Sequence, residues 1–326
     1  MPIDSEDQYT ISICVLNGLL ALIAIALNSA SIHAIRKTFT ALPKTLRTLL
    51  LSVAVSDLGV GLLVQPLYLV LLVFKTKTKT TENDPTTNIL TTTSKIVSFL
   101  FPCASVLSVL ALSVDRFLAV HLHLRYKAIV TRKRVVAGVT SIWVLSVIIS
   151  LLPSRWPITE DFAVYIFDAA IIVACLVATT VIHCKIYTIV RRHRNAIRSQ
   201  QVPKTLPQDV KKMAIDERQK HSFLGTFYIY LVCLVCYLPY CCIIMVFKLS
   251  PRSTALLILT RCSITLLFLN SCLNPLIYCW KLKPIRSAVV GILRKVIFPR
   301  ASDGEDSYFN FVEKNGKEHL KLCSRG

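Results

Sequence analysis

The feature that most constrains this chain is a series of seven long apolar runs separated by polar segments. A helix needs roughly 20 apolar residues to cross the hydrocarbon of a bilayer, and each run is close to or above that length. The runs are Ile11 to Ile35, Leu46 to Phe74, Ile96 to Val120, Val135 to Leu152, Phe162 to Val190, Phe223 to Phe247 and Ala255 to Trp280. Only 17% of the residues are charged and the mean hydropathy is +0.58, so lipid is the expected solvent. The sequence therefore predicts an all-α membrane protein, a bundle of seven transmembrane helices.

The basic residues predict the orientation of this bundle, because loops on the cytoplasmic side retain Lys and Arg. Of the 38 basic residues, thirty fall in the connections and the C-terminal segment on one side of the runs, and eight fall on the other side. We expect an extracellular N-terminus, a cytoplasmic C-terminus and a multi-pass protein of the plasma membrane. The net charge of +20 is explained by these basic residues on the cytoplasmic side, which attract anionic lipids. No nucleic-acid partner is therefore expected.

The chain divides into four predicted segments. Residues 1–10 form an extracellular tail, residues 11–280 the bundle, residues 281–297 an amphipathic helix on the inner leaflet and residues 298–326 a cytoplasmic tail. The amphipathic helix is predicted because apolar residues recur there at three- and four-residue steps, with basic residues between them. These apolar residues are Leu282, Ile285, Val289, Ile292 and Val296.

Several polar side chains fall near the middle of the predicted spans, where each needs a partner or a function. They are Asp57, Ser105 and, within little more than one turn of the last span, Asn270, Ser271 and Asn274. A carboxylate with hydroxyl and amide oxygens around it is an environment that a small cation prefers. Hydrogen bonds between helices would use the same residues without an ion. Both interpretations follow from the residues alone.

Two opposite charges, Asp115 and Arg116, mark the inner end of the third run. An arginine at this depth can extend to the lipid interface, so an ordinary boundary residue is one interpretation and a functional ion pair is the other. Prolines lie within several runs, among them Pro66, Pro239 and Pro275. Each leaves a carbonyl without its helical donor, and each therefore permits a kink.

Sequence motifs along the helices form a recognisable set. They are Asn28 in LNSASIHAI, Asp57 in LSVAVSD, DRFLAVHLHLRY at 115–126, Trp143 and Pro153, Tyr187, CYLP at 236–239 and NPLIY at 274–278. This set resembles the rhodopsin-like (class A) G-protein-coupled receptors over nearly the whole chain. The resemblance implies a sodium pocket formed by Asp57, Ser105, Asn270, Ser271 and Asn274. It also implies the following coupling and switch residues: Asp115, Arg116, Phe117, Tyr187, Tyr237, Pro239, Asn274, Pro275 and Tyr278.

Departures from the family pattern favour one part of it, the melanocortin, lysophospholipid and cannabinoid receptors. Thr91 stands where the family has its usual outer cysteine, and Thr179 stands where it has a fifth-helix proline; these receptors share both absences. Tyr237 replaces a switch tryptophan, and Gln219 replaces the acidic partner of Arg116. The resemblance therefore implies a weak inactive-state lock and high basal activity.

Charged residues on the outer half of the bundle predict the ligand. The candidate contacts are Lys95, Ser98, Asp168, Tyr237, Lys248 and Arg261. A basic side chain in a partly desolvated cleft favours an anionic head group, and apolar surroundings favour a lipid tail. Pairing of one base with Asp168 is the alternative. Ser98 replaces the aspartate that amine receptors use, which argues against an amine.

These observations predict a receptor, and not an enzyme, that passes the signal of an extracellular ligand to a heterotrimeric G protein. The predicted ligand is an anionic lipid. Peptide-, nucleoside- and amine-activated receptors of the same family are the alternatives, and a seven-helix channel or pump is the alternative from a different class. Membrane lipids are further expected partners. No cofactor is expected beyond sodium as an allosteric ligand.

Overall fold

A computed structural model of the protein describes residues 5–38, 42–77, 85–122, 125–152, 161–199, 207–249 and 253–297. The regular secondary structure in these ranges is entirely helical. The helices are α1 (Ser5–Lys37), α2 (Lys44–Gly59), a π-helical turn (Val60–Val64), α3 (Gln65–Lys77), α4 (Pro85–Leu122), α5 (Tyr126–Ile129), α6 (Arg132–Leu151), α7 (Asp161–Ser199), α8 (Pro207–Leu249), α9 (Thr254–Lys281) and α10 (Lys283–Ile297). The prediction of an all-α protein is confirmed.

Seven helical stretches in the described ranges are long and apolar enough to cross a membrane. They are Gln8–Lys37, Lys44–Phe74, Thr87–Leu122, Arg132–Leu151, Tyr165–Arg192, Phe223–Val246 and Thr254–Lys281. We number them as the first to seventh spans; the second span comprises α2, the π-helical turn and most of α3, and α4, α6, α7, α8 and α9 carry the third to seventh. Each span coincides with one predicted apolar run, which confirms the seven-helix bundle.

The second span is not a simple helix. Its π-helical turn, Val60–Val64, lies directly before α3, in which Pro66 is the second residue. Proline has no N–H to donate, and its ring crowds the carbonyl four residues back, so a regular α-helical turn is disfavoured at this place. A wider turn with one more residue lets the helix continue across the proline.

The third span, α4, lies at the centre of the bundle and contacts the second, fourth, fifth and sixth spans. It approaches the second span closely at Gly59, where a Cβ atom would collide with the ring of Phe101. The first, second and seventh spans contact one another, and the sixth span packs against the seventh. Polar side chains of the second, third and seventh spans are thereby brought to one place.

The side chains are distributed as expected for a protein surrounded by lipid. Large apolar residues such as Leu22, Leu145 and Val235 are exposed on the outside of the bundle. Polar residues such as Asn28 and Asp57 are fully buried inside it. Lipid gives no hydrophobic driving force between helices, so close packing and interhelical hydrogen bonds hold the spans together.

The last helix, α10, begins at Lys283, two residues after α9 ends. Ile285 is fully buried in a cluster of residues from the first, second, third, sixth and seventh spans, and Val289 and Ile292 pack against this cluster. The basic residue Arg286 is exposed. The eighth, amphipathic helix is therefore confirmed, with observed bounds inside the predicted range 281–297. Residues 1–4 and 298–326 lie outside the described ranges, so the four-segment division of the chain stays a prediction.

Candidate functional site

A fully buried carboxylate lies where the second, third and seventh spans meet. Asp57 Oδ1 accepts hydrogen bonds from Ser105 Oγ at 3.1 Å and from Ser271 Oγ at 3.0 Å. Asp57 Oδ2 accepts one from Asn274 Nδ2 at 2.7 Å. These donors replace part of the hydration that a carboxylate loses on burial. The structure thus brings together four of the five residues predicted for the sodium pocket.

Three buried amide oxygens of the first and seventh spans have no hydrogen-bond partner within the described part of the chain. They are Asn270 Oδ1, Asn274 Oδ1 and Asn28 Oδ1, and all three residues are buried. Asn28 is fixed to the seventh span, because its Nδ2 donates to the backbone oxygen of Ser271 at 2.9 Å. A buried acceptor left without a donor costs about 1–3 kcal/mol. Carboxylate and amide oxygens are ligand types that suit a small hard cation. Asn270, the fifth residue predicted for the pocket, is buried on the seventh span and makes no described hydrogen bond to Asp57.

A second polar group lies at the end of the bundle that carries α10, called here the α10 end. Arg116 and Asp115 form a buried ion pair, in which Arg116 Nε lies 3.0 Å from Asp115 Oδ2 and the Arg116 Nη2 atom also contacts that oxygen. The other carboxylate oxygen accepts a hydrogen bond from Tyr126 Oη of α5 at 2.7 Å. Burial, and then the charge of Asp115, raise the pKa of Tyr126 to about 12. The phenol therefore stays protonated, and stays a donor, at physiological pH.

Sequence reasoning missed Tyr126 and the hydrogen bonds that join the second, third and fourth spans. Ser52 Oγ and Ser108 Oγ are 2.8 Å apart, and Trp143 Nε1 donates to Ser52 Oγ at 3.2 Å. Trp143 and Tyr126 belong to the motifs that carry the resemblance, but these motifs predicted no partner for either residue. A serine in an apolar run looks the same whether it bonds its own helix or another one, so no signal distinguished Ser52 and Ser108. Tyr126 follows a break in the helix, which removes the periodicity that would place it beside Asp115.

The predicted switch residues of the seventh span are buried at the α10 end. Tyr278 is fully buried, and its hydroxyl has no partner in the described part of the chain. It lines a small crevice together with Leu46 and Ile229. Pro275, almost one turn away, is also buried and lies within α9 without ending it.

The remaining predicted switch residues lie in different environments. Tyr187 is 59% exposed on α7, so the structure does not bring it to the buried Tyr278. The ring of Phe117 stacks on His121, with centroids 5.4 Å apart. Pro239 is half-buried within α8. In this state, therefore, these side chains do not form one contiguous cluster.

The residues predicted to contact a ligand lie toward the opposite end of the bundle. Arg261 Nη1 donates to Thr10 Oγ1 at 2.9 Å, which ties the seventh span to the first. Asp168 Oδ2 accepts a hydrogen bond from Tyr240 Oη at 3.3 Å. Since this partner is a hydroxyl, the described contact of Asp168 does not support its pairing with a base.

The other candidate ligand residues are spread over the third and sixth spans. Lys95 and Ser98 are half-buried on α4. Tyr237 is buried in an apolar cluster of the third, fifth and sixth spans. The side chain of Lys248 lies outside the described residues. The structure therefore places Lys95, Arg261 and Tyr237 on three different spans of the bundle.

Fold and site together define a class: a seven-helix membrane protein with a buried carboxylate at mid-depth and an arginine–aspartate pair at one end. The family model described as 7 transmembrane receptor (rhodopsin family) matches residues 27–278. The chain belongs to this family, as the resemblance predicted. The matched residues include Asp57, Arg116 and Tyr278. The family consists of receptors, which confirms that the protein is a multi-pass membrane receptor and not an enzyme.

Individual relatives are more distant. The alpha-1A adrenergic receptor of Bos taurus is 25% identical over 240 residues, which cover 61% of this chain and 51% of the relative. The Rattus norvegicus receptor of that name is 25% identical over 238 residues, with the same coverage. The Oryzias latipes receptor is 26% identical over 238 residues, covering 60% of this chain and 50% of the relative. The chain spans about half the length of these relatives. The nearest branch within the family stays a prediction.

Proposed function

We propose that this protein is a G-protein-coupled receptor that transmits the binding of an extracellular ligand to a heterotrimeric G protein. The α10 end, which carries most of the basic residues, faces the cytoplasm in this proposal, and the N-terminus lies outside. The observation that carries the proposal is the buried pair of Arg116 and Asp115 at the α10 end in a chain of the rhodopsin family. A buried ion pair is weak evidence for stability, because desolvation offsets most of its attraction. A switching role gives a reason to keep it.

In this proposal the receptor has two states, one in which Arg116 is paired with Asp115 and one in which Arg116 is released. In the state described here, Asp115 holds Arg116 and is itself held by Tyr126. Released from this contact, the guanidinium would present its N–H donors to backbone carbonyls or carboxylates of a docked G protein. An agonist needs only a higher affinity for the released state in order to shift the equilibrium toward it.

Sodium is proposed as an allosteric ligand of the Asp57 site. The proposal is supported by the oxygen atoms available as ligands. They are the carboxylate of Asp57, the hydroxyls of Ser105 and Ser271, and the unpaired amide oxygens of Asn270 and Asn274. Hard oxygen ligands of this kind suit a small cation. An ion that binds only the compact bundle stabilises the inactive state by linkage.

The proposed ligand is an anionic lipid that binds at the end of the bundle opposite α10. Within the described residues, Arg261 hydrogen-bonds the neutral hydroxyl of Thr10 and forms no ion pair. A cation with a neutral partner can accept an acidic head group without first breaking a salt bridge. Lys95 and Tyr237 would provide a second base and an aromatic floor. An apolar tail would lie along the exposed apolar surfaces of the spans.

An amine is the second candidate, because the relatives reported above are named adrenergic receptors. Against it stands Ser98, the neutral residue at the position where amine receptors have their aspartate. Peptide and nucleoside ligands have no specific support among the described contacts. The family match argues against the channel or pump alternative.

The proposal is tested by guanine-nucleotide exchange on purified heterotrimers, with membranes that contain the receptor. The agonist screen includes lipid acids, lysophospholipids, amines, nucleosides and peptides. An anionic lipid should activate, and Lys95→Ala or Arg261→Ala should weaken its potency by about tenfold or more, since a hydrogen bond to a charged group contributes about 1.5–3 kcal/mol. Lys185→Ala, an exposed lysine at the α10 end, is the matched control.

Two results would contradict the proposal at different levels. Activation by a cationic amine or a peptide that is undiminished in both variants would exclude the anionic ligand while leaving G-protein coupling intact. Exchange no higher than that of receptor-free membranes, with every heterotrimer and every ligand class, would contradict the coupling itself.

A further inference from the structure

A histidine in the α10 half of the bundle links three spans through contacts that the switch residues do not use. His183 of the fifth span is buried, and its Nε2 lies 3.2 Å from Ser113 Oγ of the third span. Its ring stacks on Tyr230 of the sixth span, with centroids 4.9 Å apart, and meets Phe227 edge-on at 5.5 Å. One side chain therefore holds the third and sixth spans against the fifth.

The direction of the hydrogen bond between His183 and Ser113 follows from the other bond of the serine. Ser113 Oγ donates its single proton to the backbone oxygen of Val109 at 2.9 Å. The hydroxyl can therefore only accept from the imidazole, so His183 carries its proton on Nε2. His183 Nδ1, which has no partner in the described part of the chain, is then an unpaired acceptor rather than an unpaired donor.

A second hydrogen bond runs beside the first. Tyr230 Oη lies 2.6 Å from Thr180 Oγ1, and Thr180 Oγ1 donates to the backbone oxygen of Leu176 at 2.7 Å. By the same argument Tyr230 is the donor, so its hydroxyl binds the sixth span to the fifth. Thr180 and His183 are three residues apart and lie on one face of α7. The two bonds and the ring stack thus form one unit, which we call the His183 clasp: His183, Ser113, Tyr230 and Thr180.

The clasp lies next to the proposed coupling residue. Ser113 and Arg116 are three residues apart on α4, which is about one helical turn. Packing alone gives no reason for this chemistry, since an apolar side chain of similar size would fill the space without the cost of burying an imidazole and two hydroxyls. The polar contacts add geometric specificity, because hydrogen bonds determine which residues of the three spans lie opposite one another in the state that pairs Arg116 with Asp115.

We propose that His183 is a positioning residue that clasps the third, fifth and sixth spans together and holds the receptor in the state in which Asp115 retains Arg116. The proposal rests on the proposed function, because its effect appears as a change in basal signalling. Loss of the bond between Tyr230 and Thr180 releases the sixth span from the fifth. Loss of the bond between His183 and Ser113 releases the fifth span from the third. Basal nucleotide exchange should then rise without any ligand.

The test compares His183→Phe, which retains an aromatic ring but loses the bond to Ser113, with Ser113→Ala and Tyr230→Phe, in the full-length receptor. Each removes one neutral hydrogen bond and should raise basal exchange by about fivefold at equal surface expression, the factor that corresponds to about 1 kcal/mol. Basal exchange in the double variant Ser113→Ala/His183→Phe should be no higher than in either single variant, since both substitutions remove the same bond. His33→Phe and Ser141→Ala change exposed residues of the first and fourth spans and should leave basal exchange unchanged.

A second readout separates the clasp from G-protein coupling. Amide hydrogen exchange of residues 223–232 is measured on the same variants in nanodiscs without G protein, and faster exchange is expected in all three clasp variants. Faster amide exchange with no nucleotide exchange at all would support the clasp and contradict the proposed coupling. Unchanged amide exchange and unchanged basal signalling, in receptors that still respond to agonist, would overturn the clasp and leave the coupling standing. Additive effects in the double variant would also overturn it.

Discussion

Asp57 is the residue whose chemistry most directly couples the interior of the bundle to its surroundings. Its carboxylate is fully buried and receives hydrogen bonds from Ser105, Ser271 and Asn274. None of these partners carries a positive charge, so the net charge of the site is left for a cation or a proton to compensate. Sodium should therefore lower basal nucleotide exchange, by on the order of tenfold at ten times its Kd if it binds the inactive state alone.

The measurement is basal exchange in sodium chloride and in the choline salt at equal ionic strength. Asp57→Ala should remove the sodium dependence, because it removes the anionic ligand. Ser56→Ala is the control, since Ser56 is equally buried but hydrogen-bonds the backbone oxygen of Val53. A sodium effect that persists in Asp57→Ala would show that the ion acts elsewhere.

Tyr126 is predicted to restrain the coupling arginine indirectly. Its hydroxyl donates to Asp115 at 2.7 Å and lies 3.2 Å from Thr45 Oγ1, so it fixes the carboxylate that holds Arg116. Tyr126→Phe removes a hydrogen bond to a charged group, which contributes about 1.5–3 kcal/mol. Basal exchange should rise by about tenfold or more. Tyr228→Phe, on the sixth span, retains the ring that contacts Lys281 and serves as the control; an equal rise in both variants would contradict a specific role for Tyr126.

At the scale of the elements, the approach of the second and third spans depends on the missing side chain of Gly59. A Cβ atom there would collide with the ring of Phe101, whereas a Cβ at Gly138 of α6 meets no atom within 4 Å. Gly138→Ala should raise the melting temperature in detergent, because alanine gains about 1 kcal/mol over glycine in a helix. Gly59→Ala should lower it, because overpacking costs about 1–3 kcal/mol. Phe101→Leu should partly rescue Gly59→Ala; equal effects of both alanines would contradict the close approach.

The elements themselves were largely predictable, and the exceptions have physical reasons. A helix that crosses a bilayer needs about 20 apolar residues, so each span corresponds to an apolar run that can be recognised in the sequence. The alternation of apolar and basic residues around Ile285 located α10 in the same way. The π-helical turn at Val60–Val64 was not predictable, because Pro66 indicates only that a regular turn is disfavoured and not which irregular turn replaces it.

At the scale of the whole molecule, the polar interior forms a series of groups from mid-depth to the α10 end. The Asp57 site lies at the centre, and the His183 clasp and the pair of Arg116 and Asp115 follow along the third span. The sequence indicated Asp57 and Arg116 as costly residues in an apolar setting. It did not indicate His183, because the partners of a buried histidine come from two other helices and leave no periodic signal. Likewise Tyr187, predicted as a switch residue, is exposed in this state, and the role proposed for it stays a prediction.

The central claim, that the end of the bundle carrying Arg116 couples to a G protein, is tested most directly by Arg116→Ala. The measurement is basal and agonist-stimulated nucleotide exchange at matched surface expression, with Arg36→Ala, an exposed arginine of the last turn of α1, as the control. Arg116→Ala should lower exchange to the level of receptor-free membranes, because it removes the group that the active state presents to the G protein, and Arg36→Ala should signal normally. Undiminished exchange by Arg116→Ala would contradict the account.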